Sequence, residues 1–146
     1  MTALLEIENL RVSFTMDGRD VTALGGVSLS LDAGRITGLA GPDGAGKTTL
    51  MRIMAGLLKP TEGTVRVLGL DPVRQADALH AQVGYMPQKF GLYEDLTVME
   101  NLVLHAELRG VVGEARAARF AQLLDFTDLH RFTARMAGKL SGGMKQ

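Results

Sequence analysis

The chain has 146 residues, 46% hydrophobic and 22% charged, enough for one domain with a real core and unlike a disordered chain. Lys plus Arg equal Asp plus Glu at 16 each, so no basic excess points to nucleic acid, and the absence of cysteine excludes disulfides and thiolate metal sites. Glu6 comes too early for a signal peptide and no apolar run approaches the length of a membrane span, which predicts a soluble chain.

Leu5, Ile7, Val12 and Phe14 predict a first strand, closed by the polar turn Met16-Asp17-Gly18-Arg19-Asp20. Val27, Leu29 and Leu31 alternate with Ser28 and Ser30, the pattern of a half-buried strand. Asp32-Ala33-Gly34-Arg35 then turns the chain into Ile36-Thr37-Gly38-Leu39-Ala40, which is short and mostly apolar, as a buried parallel strand should be. The next eight residues, Gly41-Pro42-Asp43-Gly44-Ala45-Gly46-Lys47-Thr48, read G-x-x-x-x-G-K-T. Thr48 to Ala55 contains no Gly or Pro and predicts a helix, with Met51 and Met54 on its buried face.

Strand, glycine loop and helix in that order form a phosphate-binding loop for a nucleoside triphosphate. Glycines let the backbone fold around phosphates with its N–H groups inward, where a Cβ would obstruct. The helix N-terminus adds free donors and partial positive charge. Lys47 is expected to reach the β and γ phosphates and the Thr48 hydroxyl to ligate Mg²⁺, with the loop running on to Thr49.

Beyond this helix, Pro60 and Gly63 bracket a turn and Thr64 to Leu68 reads as a strand. Val83 to Met86 predicts another, ended by Pro87. The pattern then becomes helical. Thr97-Val98-Met99-Glu100 is a capping box, followed by Met99, Leu102, Val103 and Ala106 at helical spacing. Gly110 and Gly113 separate this helix from a second over about 114–124, with Ala117, Phe120, Ala121 and Leu124 on one face. His80, His105 and His130 match no metal spacing, and Arg116, Arg119 and Arg131 read as solvated charge. The chain closes on Leu140-Ser141-Gly142-Gly143-Met144-Lys145-Gln146, where a hydroxyl and two unobstructed glycine N–H groups suit a second anion-binding surface at a helix start.

Together these motifs resemble the ATP-binding-cassette (ABC) ATPases, whose signature begins LSGG. The resemblance covers Phe14 through Gln146. It implies an α/β fold: a P-loop NTPase core with a parallel sheet and an antiparallel β subdomain, then a helical subdomain ending at the signature. Residues 1–88 would form the nucleotide-binding part and 89–146 the helical part of a single partial cassette. The ligand would be ATP with Mg²⁺. Phe14 would stack on adenine, offering its π-face. Gln88, in Gly84-Tyr85-Met86-Pro87-Gln88, resembles the Q-loop glutamine, which reaches Mg²⁺ and the attacking water. Ser141, Gly142 and Gly143 would close over the nucleotide of a second cassette packed head to tail.

The strings GPDGAGKTTLMRIMAGLLKPTEG and VGYMPQKFGLYEDLTVMENL resemble the ATP-binding subunits of type-2 ABC exporters, in particular the first cassette of tandem-cassette subunits. That implies a permease partner docked around Gln88, Lys89, Phe90, Gly91, Leu92 and Tyr93, on the cytoplasmic side of the inner membrane, with no nucleic acid. Soluble non-transport ABC ATPases and nucleotide-holding regulatory modules remain open alternatives. Asp43 departs from the family's Asn and is expected to cap the loop in an Asx turn. The strand ending Asp-Glu and the switch histidine are not among these residues, so the chain resembles an N-terminal piece of a cassette, unable to cycle ATP alone. Leu123-Leu124-Asp125-Phe126 is the nearest imitation, within a helix and without the Glu.

Overall fold

Asn9 sets the phase of the first strand. In the computed structural model, which describes residues 3–89 and 91–145, β1 (Leu5–Met16) buries Leu5 and Ile7, then Leu10 and Val12. Odd positions give way to even ones because the strand carries a one-residue bulge between Ile7 and Leu10, with Asn9 at φ 45°. Asn tolerates this left-handed conformation better than most residues, and its N–H donates to Ser28 Oγ at 2.8 Å.

β1 turns through Asp17-Gly18 into β2 (Arg19–Leu31), and β3 (Glu62–Val67) lies antiparallel on the other side of β1, giving the order β2-β1-β3. Leu50 and Ile53 of α1 (Lys47–Met54) and Leu79 of α2 (Ala76–His80) complete a core with Leu5, Ile7, Leu10, Val12, Leu24, Val65 and Val67. Each large side chain removed from water here contributes about 2 kcal/mol. His80 meets the carbonyl oxygen of Ala55 at 2.8 Å, where α1 ends, a structural use of that histidine.

Three expectations need correction. Ile36–Ala40 forms no strand: Ile36 is fully exposed and Leu39 about half-exposed. A strand exists through its partner's hydrogen bonds, and no described strand pairs with this segment. Val83–Met86 is likewise irregular, so among the described residues the sheet is wholly antiparallel. In α1 the buried face is Leu50 and Ile53, with Met54 half-buried. Met51, one residue from Leu50 and so 100° around the helix, is exposed.

The chain divides into two units between Tyr85 and Met86, ahead of the Gln88 boundary read from the sequence. In the second unit, α3 (Val98–Leu108) starts at the expected capping box: Thr97 Oγ1 accepts from Glu100 N–H at 3.2 Å, and Glu100 Oε2 accepts from Thr97 N–H at 2.7 Å. α4 (Gly113–Thr127) buries Leu124 and half-buries Phe120, whereas Ala117 and Ala121, expected on the same face, are exposed. Backbone bonds stitch the entry of α3 to the segment after α4: Val98 N–H to Arg135 O, Met99 N–H to Thr133 O, Ala137 N–H to Leu96 O and Gly138 N–H to Glu94 O, all 2.8–3.0 Å. A last short helix, α5 (Gly142–Lys145), follows Ser141.

Candidate phosphate site and signature turn

The loop before α1 takes its shape from Gly46. Its φ is 86°, and a Cβ there would lie 2.5 Å from the carbonyl oxygen of Ala23 and 2.7 Å from Leu24 Cδ2. Glycine alone lets the loop press against β2 at this point. Gly44 is also left-handed, at φ 79°. Gly46 is the N-cap of α1, and no side chain caps the helix there. The N–H groups of Lys47, Thr48 and Thr49 lie in the first turn, where an α-helix offers them no carbonyl. They form a cradle of donors at the positive end of the helix, fit for an anion.

Lys47 Nζ donates to the carbonyl oxygens of Gly41 and Pro42, both at 2.7 Å, so the ammonium hangs over the loop's own backbone. Thr48 is exposed and Thr49 half-buried. Gly41, Pro42, Asp43, Gly44 and Ala45 are exposed, and Ala45 N–H closes the turn on Pro42 O at 3.3 Å. The Asx turn expected at Asp43 is not formed, because this backbone bond does its work. Phe14, on β1 opposite Val21, is 38% exposed, so part of its ring is open to a ligand. The fit for ATP rests on these donors and for Mg²⁺ on the exposed Thr48 hydroxyl, since among the described residues no cluster of three His, Cys, Asp or Glu could hold a metal.

The remaining expected site residues belong to the second unit. Gln88 and Lys89 are exposed in a bend, Gly91 is exposed, Leu92 is half-buried and Tyr93 is 57% exposed; Phe90 lies outside the described residues. Ser141 begins α5: its carbonyl accepts from Met144 N–H and Lys145 N–H, both at 3.1 Å, and its Oγ from Met144 N–H at 3.4 Å. Gly142 and Gly143 are exposed beside it. Leu92, Val98, Leu102, Phe126, Leu140 and Met144 line an apolar groove of about 480 Å³.

Three residues of this unit escaped the sequence reading. Asn101 is 3% exposed: its Oδ1 accepts from Tyr93 N–H at 2.9 Å, and its Nδ2 donates to Tyr93 O at 3.0 Å and Thr97 O at 2.9 Å. A polar residue inside the apolar stripe of α3 was the available signal. Lys145 Nζ donates to Glu94 Oε1 at 2.8 Å across 51 residues, a separation no local pattern reveals. That bond and the ammonium's charge hold the Glu94 carboxyl below its ordinary range. The Glu100 carboxyl is lowered too, first by the Thr97 N–H. Asp125 lies in α4 against His130 Nε2 at 2.5 Å.

Comparison with known proteins agrees with this geometry. The chain is 60% identical over 144 residues to the probable multidrug ABC transporter ATP-binding protein YbhF of Escherichia coli (strain K12), covering 99% of this chain and 25% of that protein. It is 35% identical to the methionine import ATP-binding protein MetN 2 of Enterococcus faecalis (strain ATCC 700802 / V583), covering 99% of this chain and 43% of that one. The chain thus spans between a quarter and a half of the length of these relatives. Its fold matches the dimeric post-hydrolysis structure of the ATP-binding cassette MJ0796 bound to ADP and Pi, with TM-score 0.84 and 29% identity over 97% of this chain and 65% of that one. The sequence profile of the ABC transporter family covers residues 24–146. With the phosphate loop, the signature turn and these likenesses in agreement, the chain belongs to the ABC transporter family of ATP-binding cassettes.

Proposed function

We propose that this chain is the ATP-binding part of a subunit that drives a membrane exporter by ATP-dependent closure of two cassettes. The observation that carries the reading is the loop from Gly41 to Thr49, pinned by Gly46 against β2 with Lys47 above it. Lys47 trades its bonds to the Gly41 and Pro42 carbonyls for the β and γ phosphates. The first-turn N–H groups hold the phosphates in place. Thr48 supplies an oxygen to Mg²⁺, which when bound neutralises charge on the transferring phosphoryl group. Gln88 orients the attacking water, and Phe14 stacks on adenine. Ser141, Gly142 and Gly143 close on the nucleotide of the other cassette.

Export is supported by the relative at 60% identity, whose name refers to multidrug transport. The permease docks around Gln88–Tyr93, where Gln88, Lys89, Gly91 and Tyr93 are exposed. That docking keeps the subunit at the cytoplasmic face of the inner membrane; no helix among the described residues is long and apolar enough to cross it. Residues 1–146 alone hold ATP without turning it over, because phosphoryl transfer depends on positioned charge and water, and Asp125 is committed to His130.

The test is ATP affinity in the parent and in Lys47→Ala. Loss of charged hydrogen bonds should weaken binding by about tenfold to a hundredfold. Equal affinity would overturn the reading. Cross-linking from Lys89 and Tyr93 in membranes carrying the full-length protein should capture a permease; cross-links confined to the cassette would remove that partner.

A further inference from the structure

Glu94 holds the chain on both sides of Ser141. Its carbonyl accepts from Gly138 N–H at 3.0 Å, three residues before Ser141, and its carboxylate accepts from Lys145 Nζ at 2.8 Å, four residues after it. The approach at Gly138 is close: a Cβ there would lie 3.1 Å from Glu94 O and 3.2 Å from Glu94 Cβ. The Lys145 side chain is 12% exposed and that of Glu94 66%, so the pair sits at the surface with the lysine stem packed beneath it. Glu94 follows Tyr93 directly, and Asn101 grips both the N–H and the carbonyl of Tyr93. The stretch that begins at Gln88 is thereby tied at its far end to α3 and to the turn carrying Ser141, Gly142 and Gly143.

We propose that Glu94 and Lys145 are positioning residues for the signature turn, bracing Ser141–Gly143 against the segment that begins at Gln88. The inference rests on the reading that those three residues close on nucleotide. A displacement of Gln88–Tyr93 is then carried to the signature through one side-chain pair and one backbone bond. Such a brace leaves the chain's own phosphate loop untouched. Its loss should lower kcat and leave KM for ATP alone; a smaller folded fraction would give the same split, so rescue by the double swap and amide exchange at the signature separate positioning from destabilisation.

The experiment uses the full-length protein with its permease in nanodiscs. It compares Glu94→Lys, Lys145→Glu and the double swap by kcat and KM for ATP, and separately by amide exchange at Ser141–Met144. Each single reversal should lower kcat by about fivefold, the upper end of what a partly exposed pair supplies, with KM within about twofold. The double swap should restore most of kcat and the slow exchange. Single variants with wild-type kcat and exchange, or a double swap no better than either single, would overturn the proposal. Glu94→Gln, which keeps an acceptor and adds no repulsion, should fall between; if it matches the parent in both readouts, the ion pair has no positioning role. A parent that binds no ATP would remove the functional reading and leave the exchange measurement to decide the pair.

Discussion

Replacing Asn101 tests whether one buried amide organises the entrance to α3. In Asn101→Ala each group its amide meets has a different fate. Thr97 O still accepts from residue 101 N–H at 3.0 Å, Leu96 O from Ala137 N–H at 2.8 Å, and Tyr93 O from Leu96 N–H at 3.1 Å. The group left without a bond is Tyr93 N–H, which had Oδ1 at 2.9 Å. An orphaned donor costs about 1–3 kcal/mol, and water reaches part of this one because Tyr93 is half-exposed. With the small void left by the amide, the loss should be about 2 kcal/mol. Asn101→Asp keeps the acceptor for Tyr93 N–H but turns a second anionic oxygen toward three carbonyls. It should cost about 1–2 kcal/mol more than alanine at pH 7. That environment raises the new carboxyl's folded pKa above its unfolded value, so the extra loss is present at pH 7, begins to fade only near about pH 5 and is gone below the unfolded value of about 4. The chain has no Trp, so urea unfolding followed by far-UV circular dichroism is the assay. The alanine midpoint should drop by about 1 M at unchanged slope. An aspartate variant as stable as the parent at pH 7 would refute the reasoning, since the Nδ2 bonds would then contribute nothing.

Gly46→Ala combines a left-handed backbone with a Cβ 2.5 Å from Ala23 O and should cost about 3 kcal/mol; Gly44→Ala, with nothing within 4 Å, should cost about 1 kcal/mol, and equal melting-temperature losses would refute the packing argument. Asp71, Glu94 and Glu100 all have folded carboxyls lowered from ordinary values of 3.8, 4.5 and 4.5, so their stabilisation is complete above those values and is lost as pH falls below them. Thr97→Ala should cost about 1 kcal/mol at pH 7, and Glu100→Gln, which removes the titrating group, should flatten the acid limb of an unfolding titration; an unchanged limb in Glu100→Gln would contradict the Glu100 assignment. The exposed run at Ile36 and Leu39 should drive self-association of residues 1–146, and Ile36→Lys with Leu39→Lys should shift the light-scattering mass toward a monomer; identical masses would exclude that surface.

Local signals were readable from the sequence, and pairing was not. The capping box, the phosphate loop and the hairpin turn at Asp17-Gly18 are each coded within a few residues, and all three form. Apolar content alone suggested strands at Ile36–Ala40 and Val83–Met86, but a ladder needs a partner, and composition does not supply one. Asn9's bulge explains why Leu5 and Ile7 share a face with Leu10 and Val12, a phase change that period-2 reading cannot anticipate. The signature was legible as a motif; the two residues that brace it were not, because Glu94 and Lys145 meet only in the fold.

β1 gains its two partners at different times. The hairpin with β2 is complete in sequence at Leu31, and such hairpins close in microseconds. The other edge waits for β3, whose last residue is Val67. At ribosomal rates of about 5–20 residues per second, those further residues take about 2–7 s to emerge. Throughout that interval the edge from Leu5 to Arg11 carries unpaired backbone, and the phosphate loop lies in the unclosed segment between the two pairing events. Glu6, Glu8 and Arg11 stand along that edge, and charge there discourages pairing with other chains until β3 arrives.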